Sequence, residues 1–112
     1  MKRIQLIAFL SIGLVSSVFA GTELADLEKK AMQRDYQAQR NLAYVHQTGE
    51  LDAPVDLFKA CVWRTVIIHS GHEEIDRSDA SNFDRACGSL TASQRVAAVA
   101  KGEALAQKLY RR

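Results

Sequence analysis

Apolar residues recur at helical spacing in one segment of this chain after another. Leu24, Leu27 and Ala31 form a stripe on a helix that opens after the capping hydroxyl of Thr22, with Glu23, Asp26 and Glu28 in turns where the helix dipole favours acids. The turn "QRD" leads to Asp35, a capping candidate for a second helix running to about Gln47. On it Ala38, Leu42 and Val45 fall four and three apart. "TGELDA" reads as a loop around Gly49, and Pro54 suits the first turn of a third helix, since it lacks only an amide that has no partner there. That helix, from about Pro54 to Ser70, is the most hydrophobic. Leu57, Ala60, Cys61, Val62, Trp63, Val66, Ile67 and Ile68 cover most of its circumference, which predicts a central position. Gly71 is placed to end it.

After a polar stretch, a shorter helix is expected from Asp79 to Cys87, with Ala80, Phe83 and Cys87 on one face and Gly88 closing it. Thr91 and Gln94 then stand at capping-box spacing before a last helix to about Tyr110, with Val96, Val99, Ala106 and Leu109 inward. The "TVII" run has strand propensity, but the preceding "FKACVWR" carries helical spacing. The pattern predicts an all-α fold.

The first 20 residues change this picture. Lys2 and Arg3, the apolar run "IQLIAFLSIGLV", and Val18 and Ala20 before Gly21 have the layout of a secretory signal peptide. An apolar run of about a dozen residues falls short of the roughly 20 that span a bilayer. Cleavage after Ala20 leaves 21–112 as a single domain, and no later segment could cross a membrane. It also removes two of the 15 basic residues, leaving 13 against 13 acidic, so the mature chain has no general attraction to nucleic acid or anionic lipid. Two cysteines remain, Cys61 and Cys87. In an oxidising compartment they are expected to form a disulfide, the staple small secreted domains use. Two buried thiols or a metal pair are the alternatives, although the spacing makes a poor zinc site.

The segment "KKAMQRDYQAQRNLAYVHQTG" resembles the Sel1-like repeat, a relative of the tetratricopeptide repeat, through Ala31, Asp35, Ala38, Gln39, Asn41, Leu42 and Gly49. "APVDLFKACVWRTVIIHSG" is similar to the next repeat's first helix, through Pro54, Asp56, Lys59, Ala60, Trp63 and Gly71. "GSLTASQRVAAVAKGEALA" is similar to the helix that caps such arrays. Arg34 and Ala43 replace glycines of the pattern, His46 replaces an aromatic, and residues 72–90 diverge. The resemblance implies antiparallel helix hairpins with a C-terminal capping helix. Small residues at Ala38, Ala43 and Ala60 would let helices approach, while Leu42 and Trp63 fill the space between layers. It also implies a protein-binding adaptor.

Candidate chemistry concentrates in "HSGHEEID": His69, His72, Glu73, Glu74 and Asp76. A metal site would need these on one face, yet Gly71 interrupts the helix and the HExxH signature is absent. Ser70 neighbours His69, but adjacent helical residues point apart, and no GxSxG nucleophile turn occurs. Asp52, Asp56, Glu73 and Asp84 read as caps and surface charges rather than a glycosidase pair. Trp63 reads as an interlayer core residue, and Arg64 beside it as an exposed contact. No catalytic residue, metal ligand or cofactor is assigned.

The expected function is that of an exported, non-enzymatic module of Gram-negative periplasmic type that binds another protein, with Arg64, His72, Glu73 and Glu74 as contact candidates. A short array leaves room for a homodimer. A sharper version is a periplasmic immunity protein that plugs a toxin enzyme with "GELDA" or with residues 72–81. A small metal-dependent hydrolase built on the His69–Asp76 region is the rival class. A lipid or small-molecule carrier would need a cavity for which so few helices leave little room.

Overall fold

Capping residues set most of the element boundaries. In the computed structural model, which describes residues 21–111, helix α1 covers 21–32 and breaks at a turn where Arg34 takes a left-handed φ of 69°. Asp35 then caps α2 (Tyr36–Thr48), its Oδ1 accepting the Ala38 N–H at 2.9 Å. Gly49 closes α2 at φ 83°, a conformation only glycine adopts without strain, and donates its N–H to the Val45 carbonyl at 2.8 Å. A 3-10 turn (Glu50–Asp52) follows, then α3 (Leu57–His69), α4 (Arg77–Gly88) and α5 (Ala92–Tyr110). Thr91 and Gln94 form the capping box their spacing predicts. With five helices and no strand among the described residues, the fold is all-α. No helix among them is long and apolar enough to cross a membrane, and the expected signal segment, 1–20, lies outside the described residues.

Three helix starts differ from expectation. Gly21 and Thr22 are already helical, so Thr22 lies inside α1 rather than capping it. Pro54 lies outside α3; Asp56 is its cap, accepting the Lys59 N–H at 3.0 Å, because a carboxylate that binds a free helical amide sets the start more firmly than a proline that merely tolerates it. Helix α4 begins at Arg77 rather than Asp79. Asp76 caps it, and Asp79 reaches back to the Asp76 N–H at 3.2 Å, so Asp79 sits in the first turn of α4 as half of a reciprocal pair.

Helix α3 is central, as its apolar circumference predicts. Residues 60–67 are all buried, with α2, α4 and α5 packed around them. One core cluster joins Ala31, Leu42, Ala43, Trp63 and Val66, with Leu24, Leu27, Leu105 and Leu109 against it. A second joins Cys61, Val62, Cys87 and Ala98, covered by Phe58, Phe83 and Val99. Burying Leu42, Val66 or Ile67 contributes on the order of 1.5–3 kcal/mol each. The side chain of Gln39, also fully buried, donates from Nε2 to the Ala31 carbonyl at 3.0 Å and stands 3.2 Å from the Tyr110 hydroxyl, tying α1, α2 and α5.

Helix α5 meets α3 through small residues. Ala98, Gly102 and Ala106 fall four apart and are its buried positions. A Cβ at Gly102 would come within 2.5 Å of Thr65 Cβ and 2.7 Å of the Val62 carbonyl oxygen, so only glycine permits this approach. Val96, expected inward, is 71% exposed, because two residues carry it roughly 200° round the helix from Ala98. Ala80 is likewise exposed; α4 buries Cys87 as expected, together with Asp79 and Ala86. Cys61 and Cys87 form a disulfide between α3 and α4, with Sγ atoms 2.08 Å apart.

Candidate functional site

On α2, Gln37, Arg40, Asn41 and Tyr44 are spaced three, four and seven residues from the first, so they share one face turned away from the core stripe of Ala38, Leu42 and Val45. Helix α4 brings Asn82 opposite them, and α3 contributes Arg64 from below. These six side chains line a cleft of about 210 Å³. Its lining is mainly polar, and it is shallow and open to solvent.

Arg64 defines the cleft. Expected to be an exposed contact, it is only 3% exposed, because α3 is covered on all sides and a side chain at this position has no route to the surface except the cleft. Its Nε has no hydrogen-bond partner, and no carboxylate among the described residues pairs with it. Burial pushes its proton affinity down from the ordinary arginine range; Asp79 opposes that shift, while the like charges of Arg40 and Arg85 add to it. Guanidinium stays ionised through such shifts, so the cleft holds a desolvated cation.

The wall beside it is a buried network joining α2 to α4. Asp79, 1% exposed, accepts a hydrogen bond at Oδ2 from the Tyr36 hydroxyl, whose second acceptor is the Glu74 carbonyl at 3.1 Å. Arg40 Nε stands 3.2 Å from Asp79 Oδ1, near enough for an ion pair but off the line of a hydrogen bond, so Oδ1 lacks a donor. Arg40 also donates to Ser78 Oγ at 3.3 Å and lies 5.4 Å from the Tyr36 ring centroid. Burial, then the hydrogen bond to Asp79, pushes the Tyr36 phenol up to about 12.

The residues singled out in sequence separate here. His72 stacks on the Tyr36 ring, centroids 4.4 Å apart and planes 6° from parallel. Its Nδ1 accepts the Glu74 N–H at 3.1 Å, with Glu74 Oε2 at 3.9 Å. His72 and Glu74 therefore brace the cleft's wall, whereas Glu73 is simply exposed. His69 lies 4.0 Å from Glu103 on α5, away from His72. Asp76 caps α4, its carboxyl held below the ordinary range by the Ser78 hydroxyl and the Asp79 and Ser78 amides. Ser70 Oγ donates to the Ile67 carbonyl at 2.7 Å and accepts the His72 N–H at 3.1 Å. The members of "HSGHEEID" thus serve four different local tasks. Among the described residues no group of three or more His, Cys, Asp or Glu is placed to hold a metal ion.

Trp63, 9% exposed, belongs to the core, as read from sequence. "GELDA" forms the 3-10 turn and its flanks, with Leu51 and Asp52 both at φ 57°. Sequence reasoning missed Tyr36, Arg40, Asp79 and Asn82. Two signals were available: the polar face of α2 at helical spacing, and a lone arginine inside the apolar run "FKACVWRTVII". Comparison with protein-family models, curated proteins and solved structures returned no match.

Proposed function

We propose that this chain is an exported, non-enzymatic protein-binding module of the bacterial cell envelope, and that it binds through the cleft between α2, α3 and α4. The observation that carries the reading is Arg64, a buried cation without a partner at the base of a polar cleft. A fold of this size holds such a group at a cost in stability, which a binding role would account for. The rim supports the same reading, because Tyr44 is 48% exposed beside Gln37, Asn41 and Asn82. Tyrosine and arginine are the side chains that dominate protein interfaces.

The Sel1-like character of 25–71 belongs to this proposal as well. Its support is the burial of Ala38, Ala43, Ala60, Leu42 and Trp63, the positions at which such repeats pack. The test is affinity capture from periplasmic extract, using oxidised protein that begins at Gly21, followed by a dissociation constant for whatever is recovered. One stoichiometric protein, retained by wild type and lost by an Arg64→Met variant that remains folded, is the expected result. A partner that degrades cell wall or membrane would make the module an immunity protein. Recovery of no protein under oxidising conditions would overturn the reading.

A further inference from the structure

Resting on that reading, we infer that the cleft binds one carboxylate, presented by the side chain of an acidic residue in a partner's extended segment. Charge selects the group. Arg40 and Arg64 bring two guanidinium groups to the cleft with Arg85 close enough to act on Arg64, and the buried Asp79 is already engaged with Arg40, so the site carries excess positive charge that draws an anion. Nε itself is closed off from solvent, so the two terminal Nη groups face the cleft, and their planar fork fits a planar carboxylate through two parallel hydrogen bonds. Burial favours the pairing further, because Arg64 has already given up its water and an arriving anion would restore its hydrogen bonds.

The rim selects the source. Amide side chains stand on both walls, Gln37 and Asn41 on α2 and Asn82 on α4. Gln37 Nε2 donates to Asn41 Oδ1 at 3.0 Å, which leaves the Gln37 oxygen and the Asn41 amino group to meet backbone. Amides on both sides suit a chain that continues past the bound group in both directions, as it does around an internal Asp or Glu. A cleft of about 210 Å³ has room for that side chain.

The test follows the Arg64 Nε–H resonance by NMR in oxidised protein beginning at Gly21, at constant ionic strength. The probes are N-acetyl-glutamate N-methylamide, its glutamine counterpart, N-acetylglycinate and inorganic phosphate. The blocked glutamate should shift Arg64 saturably, the glutamine compound should not, and the other two anions should bind at least tenfold more weakly. Thermal denaturation gives an independent readout: the blocked glutamate should raise the melting temperature of wild type but not of Arg64→Met. Asn82→Ala should weaken binding severalfold without unfolding the protein.

Equal shifts from chloride, or none from any anion, would overturn the carboxylate site. Tighter binding of N-acetylglycinate or phosphate would overturn the choice of an internal acidic side chain. The two proposals fail separately. A partner captured equally well by Arg64→Met leaves the module standing and removes the carboxylate site. Saturable binding of the blocked glutamate with no protein captured keeps the site and removes the partner.

Discussion

Replacing Arg64 by methionine should stabilise this protein. The Arg64 guanidinium is 3% exposed and its Nε has no hydrogen-bond partner. A buried polar group left unpaired costs roughly 1–3 kcal/mol. Methionine keeps an unbranched stem that can follow the path of the arginine, so most of the packing survives. Repulsion from Arg40 and Arg85 is relieved, while the attraction of Asp79 is lost. Asp79 retains Arg40 at 3.2 Å and the Tyr36 hydroxyl, so it is not stranded. The net expectation is a gain of about 1 kcal/mol, or about 4–8 °C in melting temperature for a domain this small. Urea denaturation followed by circular dichroism at pH 7, with the disulfide intact, would measure it, and the m-value should not change. Arg40→Met is the contrast: it strips the buried Asp79 of its cation and should cost about 3 kcal/mol or more. Should Arg64→Met instead destabilise by more than about 1 kcal/mol at constant m, Arg64 is satisfied within the fold and the argument for the cleft fails.

Gly102→Ala should destabilise by about 1–3 kcal/mol in the same assay, although alanine is the better helix former, because its Cβ meets the Val62 carbonyl oxygen at 2.7 Å. Reducing the Cys61–Cys87 disulfide should cost about 3.5 kcal/mol in the chain-entropy account for a separation of 26 residues, read from urea midpoints with and without reductant. The Tyr36 phenol lies near 12 when folded against about 10 unfolded, so stability should be full below pH 10 and fall between pH 10 and 12; Tyr36→Phe should flatten that slope. Burial, and then Lys59, lowers the proton affinity of His46, so its NMR titration should centre below 6.5 and stability should decline as the pH falls through that lowered value.

Much of the fold was legible in the sequence, since capping chemistry and apolar spacing act over a few residues. Asp35, Thr91 and Gln94 perform the tasks their positions announce. The central place of α3 followed from an apolar circumference that only a surrounded helix tolerates. At the starts of α3 and α4 two local signals competed, Pro54 with Asp56 and Asp79 with Asp76. The cleft was harder to see because it joins residues far apart in the chain: Tyr36 meets Asp79 across 43 positions. Arg64 shows the limit best. Its neighbour Trp63 was correctly assigned to the interior, yet an arginine is ordinarily solvated, and only the packing of α2, α4 and α5 reveals that this one is not.

The division of labour on α2 has a consequence for how the molecule can change over generations. Ala38, Leu42 and Val45 face the core, while Gln37, Asn41 and Tyr44 are exposed on the opposite side at the rim. Substitutions at exposed positions of this kind usually alter stability by less than about 0.5 kcal/mol. The rim can therefore be rewritten one residue at a time, with the arginine beneath it unchanged and the fold scarcely affected. A lineage of such chains could diverge in what each one recognises while every member folds alike.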